Sequence, residues 1–404
     1  MGNKIFTKSD YRFACATLAQ NGDTVVAVAL KCSQNIDKNV SWGYSEIVSK
    51  VSKDGGATWS DEKVIATPPA RKITAEADNT KSAFFLEPKL VATNGGFEVI
   101  CTFYPESMGA EEEKLLDKKK IPYASFNGKT CQLIYDRDGN YYIVTDEGII
   151  DSAKQKTEFE IRGFGDFYQG EEYQGNIYLN GAMGKNDEGK TTSFGAPMKA
   201  PKRSYIFEIK SADGENWSEP KDITAQILAS DDDVCIATGE GSAVVLESGR
   251  IVVPMTSAKG AFSIYSDDGE SWNRNFGFPY MPVKNSVSLV QAPSGELLAL
   301  GKKSCISYDN AITWIKYKTK IAPTKAIADG DKIYTIVQAK DNTALIGGSF
   351  AYKKEKFKGI DFDKDSSALA GTYLKKASLA LIGGKLTATY ITQDNTEVET
   401  DTVE

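Results

Sequence analysis

The chain has 404 residues, 41% hydrophobic and 25% charged, with 55 Asp and Glu against 48 Lys and Arg and a net charge of −7. That length exceeds what one simple core usually holds, so two domains or one repeated architecture is expected; the acidic balance gives no basic footprint for nucleic acid, and no apolar run reaches the roughly 18 residues of a membrane-spanning helix. Histidine is absent, which removes histidine triads, proton shuttles and metal sites and leaves carboxylates, tyrosine, lysine and cysteine for any acid–base chemistry.

The opening MGNKIFTKSD has no apolar h-region and does not read as a signal peptide, and Phe6 breaks the myristoylation pattern. The chain is therefore expected to be intracellular, or a mature form whose leader has been removed. Thr24–Leu30 is apolar and β-branched, and Glu46–Val51 alternates more; both read as strands. Gly96–Phe103 reads the same way. Ala110–Lys120 is the one clear helical candidate, short and charged, as surface decoration would be. Further strands follow at Ser242–Leu246, Arg250–Met255 and Leu297–Leu300, with turn signals at Asn21-Gly, Asn94-Gly-Gly, Asp138-Gly, Ser248-Gly, Asp329-Gly and Gly383-Gly. The six cysteines form no CxxC pair and are too sparse for a disulfide scaffold; they read as small buried side chains. No metal or cofactor is called for. The acidic tail, residues 395–404, is expected to fray.

A repeat runs through this pattern. Ser52-Lys-Asp54-Gly-Gly56-Ala-Thr58-Trp59 recurs as Ser307-Tyr-Asp309-Asn-Ala311-Ile-Thr313-Trp314, with alanine for glycine. Ser211-Ala-Asp213-Gly214-Glu-Asn-Trp217 and Ser266-Asp-Asp268-Gly269-Glu-Ser-Trp272 are one residue shorter. Four of the five tryptophans end such a motif. Asp and Ser side chains fix a tight turn by bonding nearby backbone N–H groups, Gly supplies a positive φ, and Trp covers the hairpin. These are Asp boxes. Their carboxylates look catalytic, but a structural role at hairpin corners is the stronger expectation. Many short strands carrying a repeated hairpin motif suggest an all-β propeller.

With four such boxes the chain resembles the sialidases and trans-sialidases. Tyr11-Arg12-Phe13 followed by Asn21-Gly resembles their opening motif and first strand pair, and Ser41-Trp42-Gly43 lies just upstream of the first box. Phe85-Leu-Glu87-Pro-Lys-Leu90 and Phe103-Tyr-Pro-Glu106 resemble segments of a second blade. Asn127–Tyr135 and Gly175–Leu179 fit central hairpins, and Gly239–Leu246 with Gly249–Pro254 fits the strand pair before the third box. The resemblance implies one six-bladed β-propeller over residues 1–404, with inserted hairpins and loops at about 105–205. It also implies a location outside the cell or at its surface.

The family's chemistry, as the resemblance implies it, uses three arginines on the sialic-acid carboxylate, an aspartate as acid–base, and a tyrosine nucleophile activated by a glutamate. Carried over residue by residue, the first arginine is Arg12, and the others fall at Lys302 and near Lys340. The aspartate position is Ser41, the glutamate position Ser286, and the tyrosine position Lys375 or Lys376. Asp37 and Tyr373 are the nearest substitutes, and Glu87 stands where the family has an acidic residue near the sugar's N-acetyl pocket. A serine hydroxyl is too weak an acid to protonate a leaving oxygen. The expectation is a sialidase-like propeller without exo-sialidase activity that binds sialylated or other anionic glycans, or a protein partner, through Arg12, Glu87, Lys302 and Lys340. The alternative is an active, atypical glycoside hydrolase built on Asp37 and Tyr373. Glu240 and Arg250 flank a motif, but a turn glutamate and a strand-end arginine are the expected roles.

Overall fold

The structure is a computed structural model that describes residues 3–7, 11–33, 43–69, 82–106, 116–179, 183–185, 191–193, 195–229, 234–275, 281, 287–317, 325–330, 332–338, 344–351, 368–369, 376–392 and 394–402. Nearly all of its regular elements are antiparallel strands; the one α-helix among the described residues is the single turn Thr224–Ile227. Of the expected helix at 110–120, the described end, 116–120, is turn and irregular chain, and the rest lies outside the described residues.

Six sheets follow one another along the chain. Sheet I is Tyr11–Asn21, Thr24–Ser33, Ser45–Ser52 and Lys63–Ala66. Sheet II is Phe84–Thr93, Gly96–Tyr104, Tyr205–Ser211 and Lys221–Asp222. Sheet III pairs both Ile236–Thr238 and Val244–Val245 with Ile251–Ser257, then adds Gly260–Ser266 and Trp272–Arg274. Sheet IV is Ser288–Gln291, Leu297–Leu300, Ser304–Ser307 and Ile315–Tyr317, and sheet V is Lys325–Asp329, Lys332–Gln338, Ala344–Ala351 and Ala368–Leu369. Sheet VI is Ser378–Ile382, Lys385–Ile391 and Glu397–Thr402, completed by the first strand of the chain, Asn3–Thr7, which pairs with Glu397–Thr402. Between the second and third strands of sheet II, residues 123–193 supply three smaller sheets.

The apolar runs explain the packing. Every residue of Gly96–Tyr104 is buried, as is all of Thr24–Ser33 beyond Thr24, so these strands are covered on both faces. A continuous apolar run is what a strand between two packed layers requires. The first strands of the sheets lie beside one another. That of sheet I packs against those of sheets II and VI, and that of sheet II against both first-strand segments of sheet III. Val244–Val245 then meets Ser288–Gln291, which meets Lys325–Asp329, which meets Ser378–Ile382.

The four S-x-D turns each join the third and fourth strands of sheets I to IV. In the longer pair, Ser52 Oγ donates to Asp54 at 2.7 Å and Ser307 Oγ to Asp309 at 2.8 Å, while Thr58 and Thr313 N–H donate back to the same carboxylates at 2.9 and 2.8 Å. In the shorter pair Asp213 and Asp268 each accept two successive backbone N–H groups, at 2.8 and 2.7 Å. These bonds, backbone donors first, hold both carboxyls well below the usual range. Ala311 adopts φ 75° where the other turns have glycine, a left-handed conformation that costs a Cβ-bearing residue roughly 1–2 kcal/mol. Trp272 is buried and its indole donates to Glu208 of sheet II at 2.8 Å; Trp314 reaches Ser263 of sheet III at 3.0 Å. Trp59, Trp217 and Trp314 are only half-buried. The rings lie at the ends of the sheets, where a neighbouring sheet covers one side. The six cysteines are free, four of them buried.

Candidate functional site

A cavity of about 730 Å³ opens among the first strands of all six sheets. Near the starts of those strands it is lined by Cys15, Glu87, Lys89, Lys325 and Lys376. The local sequence explains how Glu87 arrives there. Pro88 has no N–H for the ladder, and the pairing of Phe84–Thr93 with Gly96–Tyr104 slips between Leu86 and Lys89. In that bulge Glu87 takes φ 45°, a conformation that non-glycine residues adopt only when their surroundings enforce it. The enforcement is visible: the Glu87 carbonyl accepts from Thr238 Oγ1 at 2.9 Å, and Thr238 N–H donates to Thr102 Oγ1 at 2.8 Å. A second bulge, between Phe13 and Cys15, lies in the first strand of sheet I on the approach to the cluster.

The charges in the cluster are unequal. Lys89 Nζ is 3.0 Å from Glu87 Oε2, and Lys89 is 6% exposed. Burial opposes ionisation of Glu87, but Lys89, Lys325 and Lys376 outweigh it, so its carboxyl lies below the usual range. Lys325 is pushed the other way. Burial and the like charge of Lys89 bring it down to about 8, against the pull of Glu87, Cys15 and Glu240. The Glu240 carbonyl accepts a hydrogen bond from Lys325 Nζ. Burial pushes the Cys15 thiol up to about 12, which makes it a poor nucleophile. Three lysines against Glu87 and Glu240 leave this end of the cavity with a cationic excess on a chain whose net charge is −7.

Of the residues singled out in the sequence, Glu87 and Lys376 line the cavity. Arg12, half-buried on the first strand of sheet I, and Lys302, exposed in the turn after Leu297–Leu300, are not among its lining residues. Asp37, Ser41, Ser286, Lys340, Tyr373 and Lys375 lie outside the described residues. Glu240 is exposed, and Arg250 is a strand-end arginine that chelates Asp267 at 2.6 and 2.8 Å and covers the Tyr265 ring at 4.4 Å. Lys89 and Lys325 were missed. Lys89 lies two residues after Glu87 in Phe85–Leu90, close enough in sequence to signal a pair. Lys325 begins a strand with no local signal at all.

No protein-family model matches the chain. Among solved structures, a leech intramolecular trans-sialidase in complex with 2,7-anhydro-Neu5Ac is similar over 100% of this chain and 70% of that one, with a TM-score of 0.75 at 18% identity. The NanB sialidase from Streptococcus pneumoniae, as its K499G mutant, is similar over 100% and 70%, with a TM-score of 0.73 at 15% identity. The intramolecular trans-sialidase from Ruminococcus gnavus is similar over 100% and 97%, with a TM-score of 0.70 at 17% identity. The chain therefore has the all-β fold of the sialidases and trans-sialidases.

Proposed function

We propose that the protein is a single six-bladed propeller of the sialidase type, with its inserted hairpins at about 105–205, that binds anionic glycans in the central cavity without exo-sialidase turnover. The succession of neighbouring first strands, from sheet I round to sheet VI, supports closure into six blades. Asn3–Thr7 supports it too, because it joins the start of the chain to the last sheet. The observation that carries the ligand class is the cluster of Lys89, Lys325 and Lys376 around Glu87 at one end of the cavity. Like charges gathered in this way repel one another unless an anion neutralises them. Sialylated glycans offer a carboxylate of the right sign, and the fold belongs with proteins that handle sialic acid. In this proposal Arg12 and Lys302 extend the cationic surface beyond the cavity, and Lys340, outside the described residues, is assigned to the ligand by the resemblance alone. The absence of turnover rests on Ser41, Ser286 and Lys375 or Lys376 at the positions of acid, activator and nucleophile. Action at the cell surface or outside the cell is the corresponding proposal for location.

Two measurements test this. Sialyllactose titrated by calorimetry should bind weakly, and more weakly as salt rises, since exposed charge is screened over about 10 Å at 0.1 M. A fluorogenic sialoside should not be turned over. Release at ordinary enzyme rates, about 1–10³ per second, would establish the atypical hydrolase instead.

A further inference from the structure

Lys325 is the first residue of its strand, 9% exposed, and lines the cavity. Its hydrogen-bond acceptor is a backbone carbonyl, that of Glu240, and among the described residues it makes no ion pair, whereas the nearby Glu87 carboxylate is taken by Lys89. Glu87 and Lys89 face it from sheet II, Cys15 from sheet I and Glu240 from between the two first-strand segments of sheet III, with Lys376 completing the cluster. Burial and the Lys89 charge leave its amine titrating at about 8. Roughly one molecule in ten is then neutral at pH 7. A desolvated lysine beside a second cation is the arrangement that turns an ammonium into a nucleophile.

We propose that Lys325 is an imine-forming amine and that the cavity takes a 2-oxo acid, with the carboxylate against Lys89 and Lys376 and the ketone carbon at Lys325 Nζ. This rests on the cavity being the anionic-ligand site proposed above, and it names the chemical class. A ligand with a carbonyl next to its carboxylate uses both the cationic cluster and the neutral amine beside it. A cavity of about 730 Å³ leaves room for a polyhydroxylated chain beyond the reacting carbon, as in an open-chain 2-keto sugar acid. The Nζ lone pair adds to the ketone carbon while the carbonyl electrons move to oxygen. An Nζ proton, relayed by the ionised Glu87 carboxylate, reaches that oxygen, and the carbinolamine then loses water. Amine and ketone give imine and water, with no oxidant or reductant.

The test uses the full-length protein with pyruvate as probe and sodium borohydride to reduce the imine, followed by peptide mass mapping. One reduced adduct is expected on the Lys325 peptide, at least tenfold above any other lysine, and none in Lys325→Arg. In the unsubstituted protein the trapping rate should rise through a midpoint near pH 8. Lys89→Met, which removes the like charge, should move that midpoint upward. Adducts spread evenly over surface lysines, or a Lys325 rate with no inflection below pH 10, would overturn the proposal. Calorimetry with pyruvate and with sialic acid, without borohydride, separates the two levels. Binding without an adduct overturns the imine and leaves the anionic-ligand site standing; neither binding nor adduct overturns both.

Discussion

Replacing Glu98 with glutamine should stabilise the protein at high pH and not at low pH. Glu98 lies on Gly96–Tyr104, 7% exposed and opposite Lys210 in register, and its Oε2 has no hydrogen-bond partner among the described residues. Burial raises its pKa to about 7; Glu208, Glu270 and Asp268 add to the effect and Lys210 opposes it. Lys210 is already shared, at 2.6 Å from Glu270 and 3.4 Å from Glu208. From the ordinary value of 4.5 to about 7, at about 1.4 kcal/mol per pH unit, the full penalty of ionised Glu98 is about 3.5 kcal/mol, and partial solvent screening reduces it to about 1–2 kcal/mol. The sign follows from proton binding. Between pH 4.5 and 7 the folded state holds a proton that the unfolded state has released, so stability from this group falls as pH rises and is fully lost above 7. Glutamine removes the charge and offers an N–H donor to the Glu208 carboxylate. Urea unfolding of both proteins from pH 4.5 to 8.5 should show glutamine ahead by about 1–2 kcal/mol at the upper end and level at the lower end. A difference independent of pH, or larger in acid, would refute an ionised, poorly compensated Glu98.

Trp272→Phe keeps most of the ring packing but deletes the 2.8 Å bond to Glu208, which is 1% exposed. Denaturant melts should show a loss of about 1.5–3 kcal/mol at neutral pH that shrinks as Glu208, its carboxyl raised by burial, takes up a proton. Gly241→Ala should be far worse than a surface change, because the added Cβ would stand 1.8 Å from the Val287 carbonyl oxygen and 2.4 Å from its carbon. We expect a loss of about 3 kcal/mol or more by thermal melt; an unchanged melting temperature would show that sheets III and IV do not meet at this glycine.

Local chemistry was legible in the sequence. The S-x-D turns make their bonds within four residues, so Ser52, Asp54, Gly56 and Thr58 specify the turn whatever surrounds it. The strands were legible too: Val25–Leu30 is a continuous apolar run, as a strand covered on both faces requires. Trp272 marks the boundary, since its motif is local but its burial depends on Glu208 of another sheet. The site lay beyond that boundary. Glu87 and Lys89 are two residues apart and pair at 3.0 Å where the strand bulges at Pro88. Lys376 is placed at the site only by the resemblance, at the tyrosine position, and Lys325 carries no signal that would assign it to the same place. Their meeting depends on which first strands become neighbours, a non-local outcome of how the sheets pack. The perturbed ionisation of Lys325 and Glu98 has the same origin. The sequence supplies an amine and a carboxylate of ordinary strength, and the tertiary structure withdraws water and brings up like charge.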